Sequence, residues 1–375
     1  MDIESVRDEF PITKHCNFQD HAAVAPLSRR AADAMRAYIQ QAEDFAYLKR
    51  QYYRRAEEVR GLCARLINAD ADEVTFVKNT SEGLTYVANG LDWKTGDNVI
   101  TTSVEFPANI YPWMNLEARG VALRMIAEEA GRIPLDKVIG AIDARTRVVA
   151  ISAVEFASGC RTDLVRLGAA CREKGVFLCV DAIQALGALP IDVQAMRIDF
   201  LSADGHKWLC GPEGAGVFYC RKALIPRLRP STVGWMCMKN ADAYGDYEFA
   251  FRDDARRFDS GSYNIGGLYG LGASVELLLE IGIDRVASQV RMLTDRLVAG
   301  VRGKGYRVVS PRDGEQWSGI VAFVSEVHDQ AGVQKHLENE HRVVISVREG
   351  RLRASPHVYN TPEEVDQLIE LLPAH

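Results

Sequence analysis

Between Glu73 and Cys220 the chain alternates short apolar runs with amphipathic stretches, and this alternation restricts the fold more than any other feature. Strands are expected at Val74 to Lys78, Asn98 to Thr102, Ala122 to Ile126, Thr146 to Val154, Val176 to Asp181, Phe200 to Ala203 and Gly216 to Cys220. Helices fit between them at Glu82 to Asn89, Ala108 to Arg119, Leu135 to Ala141 and Leu164 to Lys174. Parallel neighbours need a crossover that a tight hairpin cannot supply, so strands spaced by helices imply an α/β domain with a mainly parallel, seven-stranded sheet.

The flanks read differently. From Asp2 to about Asp70 the pattern is mostly helical, with apolar residues at three- and four-residue spacing over Arg29 to Gln41 and Arg54 to Asn68. A smaller α/β section starts near Leu278. Its expected elements are helix Asp284 to Val301, short strands around Tyr306, Ile320 and Arg351, and helices Ala331 to Asn339 and Pro362 to Leu372. The expected division is a segment 1–20, a large domain 21–277 and a small domain 278–375, and a chain of this length can bury a core in each domain.

Two strand ends carry the chemistry. Asp181 closes the run Val176-Phe177-Leu178-Cys179-Val180, so its carboxylate falls at the edge where open α/β sheets hold ligands. Lys207 follows the next strand, in the turn Asp204-Gly205-His206-Lys207-Trp208. A lysine in a glycine-rich loop is weak evidence alone, because most lysines are solvated. Paired with the acid it suits pyridoxal phosphate: the amine forms a Schiff base with the aldehyde, and the acid keeps the pyridine nitrogen protonated. Asn79-Thr80-Ser81-Glu82-Gly83 opens a helix after a strand, where N–H groups, hydroxyls and the helix dipole favour an anion. In isolation it would pass for a plain N-cap; beside Asp181 and Lys207 it reads as a phosphate turn, with Thr80 and Ser81 as donors.

Asp181-x-x-Gln184 and His206-Lys207 resemble the class V aminotransferase family of fold-type I pyridoxal phosphate enzymes, and the resemblance runs over almost the whole chain. It implies that Phe106 stacks on the cofactor, that Gln184 hydrogen-bonds its ring oxygen, and that His206 contacts its phosphate. It implies a homodimer with shared active sites, in which Ser262 of Arg257-Phe258-Asp259-Ser260-Gly261-Ser262-Tyr263-Asn264 reaches the neighbouring subunit's phosphate. Asp204 stands where desulfurase relatives tend to carry serine; an acid there would repel phosphate, so it is left without a role. The small-residue segment His21 to Leu27 enters beside the active site or is a plain loop before a helix. Trp235 is either a pocket wall or packing.

A guanidinium grips a carboxylate with two parallel hydrogen bonds, and Arg353, in Arg351-Leu352-Arg353-Ala354-Ser355, matches the family's substrate-binding arginine. Cysteine desulfurases need a nucleophilic cysteine just before that arginine. Val347 to Leu352 is short and holds none, and Phe156 replaces an asparagine that desulfurases often have. These departures point to the branch that resembles isopenicillin N epimerase and general class V aminotransferases. The expected activity is amino-acid transamination, with epimerisation or carbon–sulfur lysis as the nearest alternatives and a non-catalytic relative behind them.

Composition removes other classes. The net charge is −6 with both signs interspersed, which offers nucleic acid or anionic membrane no basic face. Eight scattered cysteines form no Cys-x-x-Cys pair, so buried thiols in a reducing cytoplasm explain them better than disulfides or a metal site. Met1-Asp2-Ile3-Glu4 lacks the basic then apolar pattern of a signal peptide, and a cytoplasmic location is expected.

Overall fold

The computed structural model describes residues 3–46, 48 and 51–374; Met1 and Asp2 of the acidic N-terminus lie outside the described residues. The chain begins with α1 (Ile3–Asp8) and β1 (Asn17–Phe18), then α2 (Arg29–Phe45) and α3 (Tyr52–Leu66). Ser28 caps α2 by accepting Ala31 N–H at 3.1 Å.

The large sheet holds β2 (Val74–Val77), β3 (Asn98–Thr102), β4 (Ala122–Ile126), β5 (Thr146–Ser152), β6 (Phe177–Asp181), β7 (Phe200–Asp204) and β8 (Gly216–Cys220). Its order is β2-β8-β7-β6-β5-β3-β4. Only β8 runs against its neighbours β7 and β2, so the sheet is mainly parallel, as expected. Helices α4 (Thr80–Gly90), α6 (Leu135–Gly140) and α7 (Leu164–Glu173) match the expected positions. The helix expected over Ala108 to Arg119 does not form as one piece. Pro107 and Pro112 each start a new turn, so the stretch breaks into a 3₁₀ turn at Pro107–Asn109, α5 (Tyr111–Met114) and a second 3₁₀ turn at Asn115–Arg119.

The smaller section is expected to start near Leu278. Leu278 lies inside α8 (Ile265–Ile281), which is mostly apolar and buried apart from Glu276 and Glu280; the helix ends at Gly282, whose φ of 89° suits glycine. After it come α9 (Ile283–Gly303), β9 (Arg307–Val308), β10 (Val321–Val324), α10 (Gln330–His341), β11 (Val343–Val344), β12 (Ser346–Arg348), β13 (Arg351–Ala354) and α11 (Pro362–Leu371). The small sheet runs β12-β13-β10-β9.

β1 pairs in parallel with β11, and Asp20 bridges to Ser355, which joins the N-terminal segment 1–20 to the C-terminal strands. One core cluster continues from the large sheet through Trp208 and α8 to Phe10, Val290, Ile320 and Tyr359. Among the described residues no single helix is long and apolar enough to cross a membrane.

Candidate active site

At the carboxyl ends of β6 and β7 lies a cavity of about 280 Å³. Asp181 ends β6 and is paired in register with Ser202 of β7, which brings the Lys207 loop alongside. That loop is tight: Gly211 N–H donates to Gly205 O at 2.8 Å, Cys210 N–H to Lys207 O at 2.9 Å, and Ala25 N–H to His206 O at 2.8 Å. A Cβ on Gly205 would press on the Ala215 carbonyl, so the close approach requires glycine.

Lys207 and Asp181 are 8% and 2% exposed. Burial pulls the Lys207 amine down to about 8 from its usual value near 10.5, against the pull of Asp181. Burial likewise lifts the Asp181 carboxyl to about 6, opposed by the Ile183 N–H that Oδ1 accepts at 3.0 Å and by Lys207. Phe106, 44% exposed, spans the open side with its ring centroid 5.4 Å from Lys207 Nζ and 5.3 Å from the Phe156 ring, edge to face.

Helix α4 aims its first turn at the same cavity. Asn79 caps it by accepting Glu82 N–H at 2.9 Å, and Thr80 and Ser81 line the cavity. Gly83 lets α4 lie flat on β7, since a Cβ there would collide with Ser202. Thr80 Oγ1 in turn accepts Asp204 N–H at 3.1 Å. Gln184 lines the cavity, with Nε2 donating to Ala22 O at 2.9 Å and Oε1 accepting from Trp208 Nε1 at 3.0 Å; one amide N–H is left over.

Strands β12 and β13 supply the cationic wall. Arg353 is 1% exposed; Nε donates to Ser346 Oγ at 3.2 Å, Nη1 to Phe156 O at 2.9 Å and Nη2 to Asp20 Oδ1 at 3.3 Å. A guanidinium has five N–H groups, so one remains on each terminal nitrogen for a bidentate ligand. Burial lowers Arg353 to about 10, with Asp20 opposing.

The fold therefore gathers Thr80, Ser81, Phe106, Asp181, Gln184, His206, Lys207 and Arg353 around one cavity, together with Ala22, Ala23 and Val24 of the small-residue segment. Ser262 is not brought there; it lines a separate crevice with Lys78, Glu82 and Tyr86. Trp235 also lies elsewhere, beside Tyr53 and Arg256. Arg351 does not line the cavity. Three residues escaped sequence reasoning. Arg348, paired across the hairpin with Arg351, lines the cavity; Asp20 braces Arg353; and Asp204, set aside as repulsive, is a buried cavity residue bonded to His206.

The sequence profile of the family described as Aminotransferase class-V matches residues 17–368. The chain belongs to that family. A class V relative from Methanothermobacter thermautotrophicus, named probable cysteine desulfurase, is 31% identical over 397 aligned residues, covering 99% of this chain and 98% of the relative. The apo structure of the cysteine desulfurase from Thermococcus onnurineus NA1 superposes with a TM-score of 0.90 at 28% identity, over 99% of this chain and 97% of that one. The cystine C–S lyase C-DES, solved as a variant with glycine covalently linked to its pyridoxal phosphate, gives a TM-score of 0.91 over 98% and 99% of the chains; at 22% identity that likeness shows the fold. Pyridoxal phosphate is the cofactor of this class V chain, and the donor set fits it: a buried acid, a buried amine of lowered basicity, and a helix N-terminus flanked by hydroxyls and a histidine.

Proposed function

We propose that the protein is a pyridoxal phosphate-dependent carbon–sulfur lyase that removes a sulfur leaving group from Cβ of an α-amino acid. The observation that carries this reading is that the cavity holding Lys207, Asp181 and Arg353 is lined by no cysteine among the described residues. Glu349 and Gly350 close the β12–β13 hairpin as a two-residue turn with φ of 49° and 70°, leaving no loop for a thiol, and the last cysteine is Cys237. Sulfur then leaves with the product and is not parked on the protein. The relatives' desulfurase names support sulfur chemistry over the transamination expected from sequence.

When bound, the cofactor supplies an electron-accepting ring that acidifies the substrate Cα–H. Arg353 takes the α-carboxylate on its two remaining N–H groups and fixes Cα beside Lys207. The Lys207 amine, held near 8 by burial, is neutral often enough at neutral pH to take the Cα proton. Asp181 holds negative charge opposite that proton transfer. Phe106 and Phe156 keep water from the face they cover. The balance is R–S–CH₂–CH(NH₂)–COOH plus water giving R–SH, pyruvate and ammonia, with no oxidant.

Product analysis with cysteine and cystine tests it. Pyruvate in step with released sulfur is expected, whereas alanine in step with sulfur would mean desulfuration without elimination and defeat the proposal. The sharing of sites in a homodimer, with Ser262 serving the neighbouring cofactor, belongs to the same proposal; Tyr244, Tyr247 and Phe249 expose an aromatic surface that suits burial against a second copy. Sedimentation at micromolar concentration checks it.

A further inference from the structure

Asp204 ends β7 and lines the cavity together with Thr80 and Ser81. A buried carboxylate beside the place for a phosphate repels it strongly unless its charge is met. Here it is met locally. Asp204 Oδ1 accepts Gly205 N–H at 2.7 Å, and Oδ2 lies 2.8 Å from His206 Nδ1. No other ion pair involves Asp204 among the described residues. The His206 side chain, 17% exposed, lines the same cavity with Nε2 free of any protein partner among the described residues.

We propose that Asp204 is a positioning residue that engages His206 through Nδ1, so that His206 turns Nε2 to the cofactor phosphate. With Nδ1–H turned to Asp204, Nε2 is the ring nitrogen left for the cavity, and in the protonated ring it too is a donor. The same aspartate also orients a second donor. Its backbone N–H fills a lone pair of Thr80 Oγ1, which leaves the Thr80 O–H to donate toward the cavity. The acid that would repel a phosphate on its own thus orients His206 through its carboxylate, while the backbone N–H of the same residue orients Thr80. The inference rests on the pyridoxal phosphate assignment and not on the reaction proposed above.

A double-mutant cycle read by binding tests it. The apoprotein is titrated by absorbance with pyridoxal phosphate and with pyridoxal, which lacks the phosphate, for wild type, Asp204→Asn, His206→Ala and the double variant. His206→Ala is expected to weaken pyridoxal phosphate by roughly 100-fold and pyridoxal by less than about 3-fold, because the carboxylate is left facing the phosphate unpaired. Adding Asp204→Asn to His206→Ala is expected to recover about 10-fold of the phosphate-dependent affinity. A double variant that binds pyridoxal phosphate no better than His206→Ala would overturn the proposal, as would equal losses for both ligands, which is the mark of a merely structural role. If the asparagine variants do not fold, Asp204→Ser carries the same cycle. Wild-type protein that binds neither ligand would refute the cofactor assignment itself, a distinct result.

Discussion

The guanidinium of Arg353 lies 3.3 Å from the carboxylate of Asp20, which ties the N-terminal segment to the last strand of the small sheet beside the cavity. Both groups are buried, and Ser346 Oγ donates to the same Asp20 oxygen at 2.8 Å. Removing one charge of such a pair strands the other, which costs more than the pair contributes. Arg353→Ala is therefore expected to lower unfolding free energy by about 3 kcal/mol and to raise KM by at least about 10-fold. Adding Asp20→Asn should return much of the stability and none of the KM. Strictly additive losses in denaturant melts would contradict this.

The pH dependence of cofactor loading follows from Lys207. Its folded pKa is lowered, so the neutral, nucleophilic amine is gained as pH rises through about 8 instead of near 10.5. Reconstitution of apoprotein with excess pyridoxal phosphate should accelerate with pH and level off above about 9, as followed by the rise in visible absorbance. The same lowering disfavours the folded apoprotein below pH 8 and relaxes as pH climbs toward the ordinary lysine value. Loading that keeps accelerating past pH 10 would place Lys207 in an ordinary solvated setting.

Asp181→Asn keeps the shape of the site and removes the charge opposite the proton transfer. Turnover should fall by about 100-fold or more while the cofactor stays bound, which absorbance and rate measurements on one sample separate. Retained turnover would remove Asp181 from the chemistry.

Arg348 makes no ion pair among the described residues; its Nη1 donates to Val347 O at 2.8 Å. Arg348→Gln should therefore leave the melting temperature unchanged, within about 1 °C, and raise KM several-fold with little change in kcat, the pattern of lost uniform binding. A drop in melting temperature without a KM effect would make Arg348 structural.

The large sheet was legible because its central strands are buried on both faces and read as unbroken apolar runs, so all seven strand positions match within two residues. Asp181 was legible because it closes such a run, and Lys207 because it follows the next run in a glycine-rich turn. The helix end at Gly282 was hidden by α8, a mostly buried helix whose only charged residues, Glu276 and Glu280, mark no edge. Asp20 and the role of Asp204 were hidden for another reason: their partners come from a distant strand and from a turn, and no local periodicity encodes them.

The most direct test of the central claim mixes cofactor-loaded protein with single sulfur-bearing amino acids, cystine and cysteine included. The visible spectrum and the released products are followed together. The account predicts that the aldehyde form of the cofactor persists through many turnovers while pyruvate and sulfur products accumulate in equal amounts. Conversion to the amine form, with one keto acid per site and no sulfur released, would contradict it and make the protein an aminotransferase.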